Sequence, residues 1–277
     1  LALSTQLDDR FQKANSHNLL GGVFNLLGRF SEAMPHNLSA LEIYRALGDR
    51  ERVASMLSNL GEHARLNDDY RTAVQYYREA LQMAQETANR TTEMVFNNNL
   101  GGALVGLGDY VEAEEHLRTT IQISELAKQS GWISETYRFL AEACLGQDHL
   151  DQARNAVVKS LAIAQEVQAQ EMIGAAWRVL GRVLARSSTP ILVNNVPVDA
   201  VACFTHSLQI FEQTGMQSER GRTLRTWGEY ETRQGDRQKG QELIQEARQI
   251  FSDLGLTWRQ EEEQRERGSG LALNRAR

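Results

Sequence analysis

Six histidines (His17, His36, His63, His116, His149, His206) and two cysteines (Cys144, Cys203) are the side chains of this 277-residue chain best suited to bind a metal or act as a nucleophile. No histidines form a His-x-x-x-His pair, and none lies near a cysteine at zinc-site spacing. The glycine-rich stretch Gly101 to Gly108 lacks the Gly-Lys-Ser/Thr ending of a phosphate loop, and Gly-x-Ser-x-Gly is absent. The Glu261-Glu262-Glu263 run is most simply a solvated helix face. These residues predict no enzyme, no metal site and no cofactor. The chemistry that remains is recognition. Asparagine amides offer both a donor and an acceptor to a peptide backbone, and arginine forks bind carboxylates or phosphates in pairs of hydrogen bonds.

The elements that would position these groups recur along the chain. Leu20-Gly21, Leu60-Gly61, Leu100-Gly101, Leu140-Ala141 and Leu180-Gly181 are spaced by 40 residues. A small residue follows the first four leucines at constant distance (Ala33, Ala73, Ala113, Ala153), preceded by Phe30, Tyr70, Tyr110 or Leu150. The fifth unit resumes late, at Ala200, Phe204 and Leu208, and the sixth begins at Trp227-Gly228. Asp68-Asp69, Gly108-Asp109 and Gly235-Asp236 carry turn residues inside a unit, while Gly48, Gly215 and Gly255 suit left-handed helix ends. Each unit therefore reads as helix A, turn, helix B, turn. His36, His116 and Cys203 share one helix-B slot, a repeat position rather than a site.

This pattern resembles the tetratricopeptide repeat family over about residues 1 to 255, through the Leu-Gly pair, the aromatic opening helix B, the small alanine, and pairs such as Ala40-Leu41 and Ser160-Leu161. Three features depart from the family: the longer period, the missing proline after helix B, and a degenerate sixth unit with Gly240 at the alanine position. The resemblance implies an all-α, right-handed superhelical solenoid of antiparallel helix pairs, with helix A lining the concave side. The expected organisation is a single array over 1–267. It comprises a partial repeat over 1–13, six helix pairs over about 14–255 with an insert near 187–197, and a capping helix over 256–267. A linker and flexible tail follow over 268–277.

On the concave face, the first three units are rich in amides: Asn18, Asn59, Asn98 and Asn99. The last three turn basic, with Arg138, Arg178 and Arg225 at one repeat position and Arg182 and Arg222 beside them. The amides resemble the asparagines that hold peptide backbones in grooves of this family; solvated amides are the competing reading. The arginines predict an acidic partner segment, against intrahelical pairs Arg138–Glu142 and Arg225–Glu229. Gly101 is expected to pack against helix B, whereas Gly102 and Gly106 would leave room for a ligand. The insert SSTPILVNNVPVD (187–199) reads as a loop, either folded over the neighbouring unit or used in binding.

The formal net charge of −6, with charges of both signs mixed, argues against direct nucleic-acid binding. No apolar run reaches membrane-spanning length, and two core-like cysteines fit structural thiols in a reducing compartment, hence a cytoplasmic protein. Nothing in the pattern specifies self-association. The chain is expected to be a non-catalytic interaction scaffold that takes a peptide segment of a partner in its groove. The alternative is the regulatory or sensor arm of a larger bacterial signalling protein, an ATPase-linked transcription regulator or nucleotide cyclase. The start of the chain inside a helix-B pattern fits a piece of such a protein.

Overall fold

The structure is a computed structural model that describes residues 2–27, 29–86, 89–127, 133–187, 189–193 and 196–256. Among these residues twelve helices follow one another: α1 (Ala2–Leu26), α2 (Phe30–Leu47), α3 (Arg50–Leu66), α4 (Tyr70–Glu86), α5 (Arg90–Leu107), α6 (Tyr110–Ala127), α7 (Ser134–Gly146), α8 (Leu150–Glu166), α9 (Gln170–Ser187), α10 (Ala200–Thr214), α11 (Gln217–Gln234) and α12 (Arg237–Asp253). Odd-numbered helices are the A helices and even-numbered ones the B helices. Each pair packs together and against the next, which builds a superhelical solenoid.

Local sequence explains where the helices begin and end. Asp49, Asn89, Asp199 and Asp236 cap the starts of α3, α5, α10 and α12 by accepting a backbone N–H. Gly48 and Gly215 end α2 and α10 in the left-handed region, at φ +70° and +71°. In three units the turn takes the same conformation at one repeat position, filled by Asp68 (φ 55°), Gly108 (φ 93°) and Asp148 (φ 64°), whereas Gly235 at that position of the sixth unit has φ −125°. Aspartate tolerates the left-handed conformation because its short side chain bonds locally.

The Leu-Gly signature brings two backbones together. A Cβ on Gly101 would lie 2.6 Å from Leu117 Cγ, and one on Gly61 would lie 2.7 Å from the Tyr77 ring. Tyr77 and Leu117 are wholly buried in this way. Burying such side chains contributes roughly 1.5–3 kcal/mol each, more than the ~1 kcal/mol that glycine costs a helix relative to alanine. In the sixth unit Gly240 does not loosen the packing. Its Cβ would meet Gly228 O at 2.8 Å, so paired glycines let α11 and α12 approach backbone to backbone.

One 25-residue helix runs from Ala2 to Leu26, across the boundary expected near residue 13. The insert is not an irregular loop but a β-hairpin, β1 (Ile191–Val193) against β2 (Val196–Val198), with Ile191 opposite Val198. Its inward side chains reach the core at Val198, while Leu192 and Val196 face solvent. Apart from Leu256, buried against Ile250 and Phe251, the expected capping helix lies outside the described residues, as does the tail.

Candidate functional site in the concave groove

The inner faces of α5, α7, α9 and α11, together with the α3–α4 turn, enclose a groove of about 950 Å³. Arg138, Arg178, Arg182, Arg222 and Arg225 all line it. In all, eight arginines and five glutamates line the groove, an excess of positive charge in a chain of net charge −6.

The arginines are not a bare basic stripe. Arg138 donates to Glu135 (3.1 Å) and to Glu142 (2.9 Å), and Arg182 reaches the same Glu142 from the next A helix. The expected pair Arg138–Glu142 is therefore present, but Glu142 is shared between units. Arg178, which has no acidic residue one turn further along α9, finds its partner on α11. Its Nη2 donates to Glu219 Oε2 at 2.7 Å, and its Nη1 donates to Thr223 Oγ1 at 3.3 Å. Arg178 is only 9% exposed, so it acts as a tie between units rather than an open anion receptor. Burial would raise the Glu219 carboxyl; Arg178 and Arg222 override it and hold Glu219 at about 2. Glu142 is likewise held below the usual carboxylate range, with Arg182 and Arg138 outweighing its burial.

Arg222 and Arg225 reach across the groove. Arg225 Nη1 donates to Asp68 Oδ2 at 3.2 Å, and Arg222 Nη1 lies 3.8 Å from Asp68 Oδ1. Arg182 and Arg186 are more open than Arg178, with side chains 41% and 52% exposed, and Arg233 at the groove's edge is exposed as well. Tyr70, Tyr110, Phe139 and Tyr230 supply apolar surface between the charges.

The asparagines lie elsewhere. None of Asn18, Asn59, Asn98 and Asn99 lines the groove. Asn98 is buried and engaged at both ends, donating to Glu135 Oε2 (3.1 Å) and accepting from Thr136 Oγ1 (2.8 Å). Asn99 donates to Ser58 Oγ at 3.3 Å. These two amides tie α5 to α7 and to α3. Asn18 and Asn59 are half-buried on α1 and α3.

Gly102 and Gly106 do not leave space for a ligand. A Cβ on Gly102 would sit 2.6 Å from the Phe139 ring, and one on Gly106 would overlap the Tyr70 ring. Gly146, one repeat after Gly106, seats Tyr110 in the same way. The aromatic that opens helix B thus packs on a glycine of the following A helix. The sequence reading missed Glu219, took Asp68 only as a turn residue, and took Glu142 only as the intrahelical partner of Arg138. The signal was available for Glu142, which stands one period before Arg182 at the same repeat position.

Among the described residues, no group of three His, Cys, Asp or Glu side chains is placed to hold a metal ion. Both cysteines are buried free thiols. Burial pushes Cys144 up to about 11 and Cys203 up to about 12. No helix among the described residues is long and apolar enough to cross a membrane.

Paired helices, left-handed turns at a fixed period and a concave face built from every second helix define a helical-repeat solenoid. The family model of the tetratricopeptide repeat matches residues 1–86 and 92–166, and the chain belongs to that family. Its structure is similar to the apo form of RapI (TM-score 0.73, 16% identity, 88% of this chain and 85% of that one). It is also similar to a Rap protein complexed with Competence and Sporulation Factor (TM-score 0.67, 12% identity, 88% of this chain and 76% of that one). A third similar structure is a STAND signal-transduction ATPase with a tetratricopeptide repeat sensor from Pyrococcus horikoshii (TM-score 0.56, 11% identity). There the match covers 86% of this chain and 36% of that one. No curated protein matches the sequence.

Proposed function

We propose that the chain is a non-catalytic, cytoplasmic protein-interaction module that takes a peptide segment of a partner in its concave groove. The observation that carries this reading is the groove itself, of about 950 Å³ and lined by arginines, glutamates and aromatic rings. Such a lining suits an extended segment with acidic side chains, because arginine forks pair with carboxylates while aromatic rings take apolar side chains. Arg182 and Arg186 are the contacts we assign first, with Arg138, Arg178, Arg222 and Arg225 behind them as the charged wall. The asparagines belong to the scaffold in this reading. The similarity to a Rap protein complexed with a signalling factor supports it at the level of fold.

A second reading is compatible with the first. The array would be the sensor arm of a larger signalling protein, in line with the STAND ATPase whose sensor shares the fold. The arm would then act by binding its effector in the same groove.

The test is selection of peptides from a random display library on the chain, with counter-screening on Arg182→Gln/Arg186→Gln. The reading expects enriched peptides to carry acidic residues and to bind the variant at least about tenfold more weakly. Peptides retained equally by the variant would contradict it.

A further inference from the structure

Asp68 stands in the α3–α4 turn, yet its carboxylate faces α11, four units further along the array. The Arg225 guanidinium donates to it at 3.2 Å and Arg222 lies at 3.8 Å, while Arg222 Nη2 reaches the carbonyl of Leu66 at 3.5 Å. Other groove pairs, such as Arg178–Glu219 and Arg182–Glu142, join adjacent A helices. The Asp68 contact instead bridges 157 residues of sequence and closes the ring of the superhelix across the groove.

The equivalent aspartate behaves differently. Asp148 occupies the same turn position with the same left-handed backbone, but it pairs with Arg186 of the next unit and its side chain is 71% exposed. The Asp68 side chain is 13% exposed and also accepts a hydrogen bond from Tyr70 Oη at 2.8 Å. The repeat geometry therefore does not require the cross-groove contact. Arg222 also faces an acid on its other side, its Nε lying 3.4 Å from Glu219 Oε1.

We infer that Asp68 latches the groove by occupying the Arg222–Arg225 guanidinium pair, and that a ligand carboxylate entering the groove takes its place and widens it. This inference rests on the groove reading above and adds how the groove opens. Asp68 is an intramolecular stand-in for the acidic side chain of the ligand. A bound peptide must bind well enough to outcompete it, because a ligand shifts an equilibrium only by its preference for one state.

The test measures the width of the groove directly. Spin labels on Arg71→Cys in α4 and Gln238→Cys in α12, both exposed positions, report the distance between the two walls by double electron–electron resonance. The buried Cys144 and Cys203 stay unlabelled in the folded chain. Asp68→Asn removes the charge and keeps a residue tolerant of the left-handed turn; Asp148→Asn is the matched control. The latch predicts a longer, broader distance distribution for Asp68→Asn and an unchanged one for Asp148→Asn. The probe is a tetraglutamate peptide, with tetraglutamine for comparison. Tetraglutamate should shift the parent toward the Asp68→Asn distance and bind Asp68→Asn roughly tenfold more tightly than the parent; tetraglutamine should do neither. An Asp68→Asn distance equal to that of the parent would overturn the latch without touching the groove reading. A lengthened distance in Asp68→Asn with no binding of tetraglutamate to either chain would overturn the carboxylate exchange. Loss of display-selected peptides in Arg182→Gln/Arg186→Gln remains the separate test of the groove.

Discussion

Arg178 on α9 and Glu219 on α11 form a buried ion pair at 2.7 Å, joining two units through residues 41 apart in sequence. Thr223 and the Glu219 carbonyl take the second guanidinium nitrogen, so few of the pair's donors and acceptors are left over. A buried pair of this kind specifies which helices meet more than it adds net stability, whereas removing one partner leaves an uncompensated charge. Arg178→Ala should therefore destabilise the chain by about 3–5 kcal/mol in chemical denaturation. A loss below about 1 kcal/mol would mean that the pair is solvated.

Stability should fall in acid. The Glu219 carboxyl is held at about 2, against an ordinary 4.5, so the folded state binds its proton less tightly than the unfolded state. Its contribution is complete above the unfolded value and is lost as pH falls from about 4.5 toward 2, on the order of 3 kcal/mol. Glu142, held low between Arg138 and Arg182, acts in the same direction. Denaturation midpoints recorded across this range should drop for the parent and drop less steeply for Glu219→Gln.

The glycines that face the groove should not accept alanine. In Gly102→Ala the new methyl would have to displace the Phe139 ring, and in Gly106→Ala the Tyr70 ring. Overpacking of about 1–3 kcal/mol outweighs the ~1 kcal/mol gain in helix propensity. Thermal melts of both variants should lie below the parent; a rise would show that these rings move aside freely. Gly22→Ala, which meets nothing nearby, should be neutral or stabilising.

The thiols should be silent in the folded chain. Burial raises Cys144 to about 11 and Cys203 to about 12, so neither is a thiolate near neutral pH. Titration with a disulfide reagent should count no reactive thiol before unfolding and two after it.

The fold was legible because its signals are periodic. A Leu-Gly pair, a small alanine and a turn aspartate or glycine recur at one spacing, and each marks a contact between neighbours in sequence. Gly101 against Leu117 is such a contact. The groove was legible in part. The five arginines were placed together from their repeat positions, and the structure brings them to one groove. Their partners were harder to read, because Arg178 pairs with the next A helix and the seven-residue shift before α10 hides the register. Gly102 and Gly106 misled for a related reason. One helix viewed alone shows a bare face, whereas the rings that fill it come from α7 and α4. The Asp68–Arg225 contact depends on the pitch of the superhelix over four units, which no local pattern encodes. The hairpin has a local signal in two short runs rich in Ile and Val, Ile191-Leu192-Val193 and Val196-Pro197-Val198, on either side of two asparagines in the sequence.

The central claim is that the concave groove holds a peptide segment. Cross-linking a display-selected peptide through a benzophenone side chain, followed by mass-spectrometric mapping, tests it most directly. The account predicts adducts on groove residues such as Met172, Tyr230 and Leu145. Adducts confined to the exposed hairpin residues Leu192 and Val196, or to Leu19 and Val23 of α1, would contradict it.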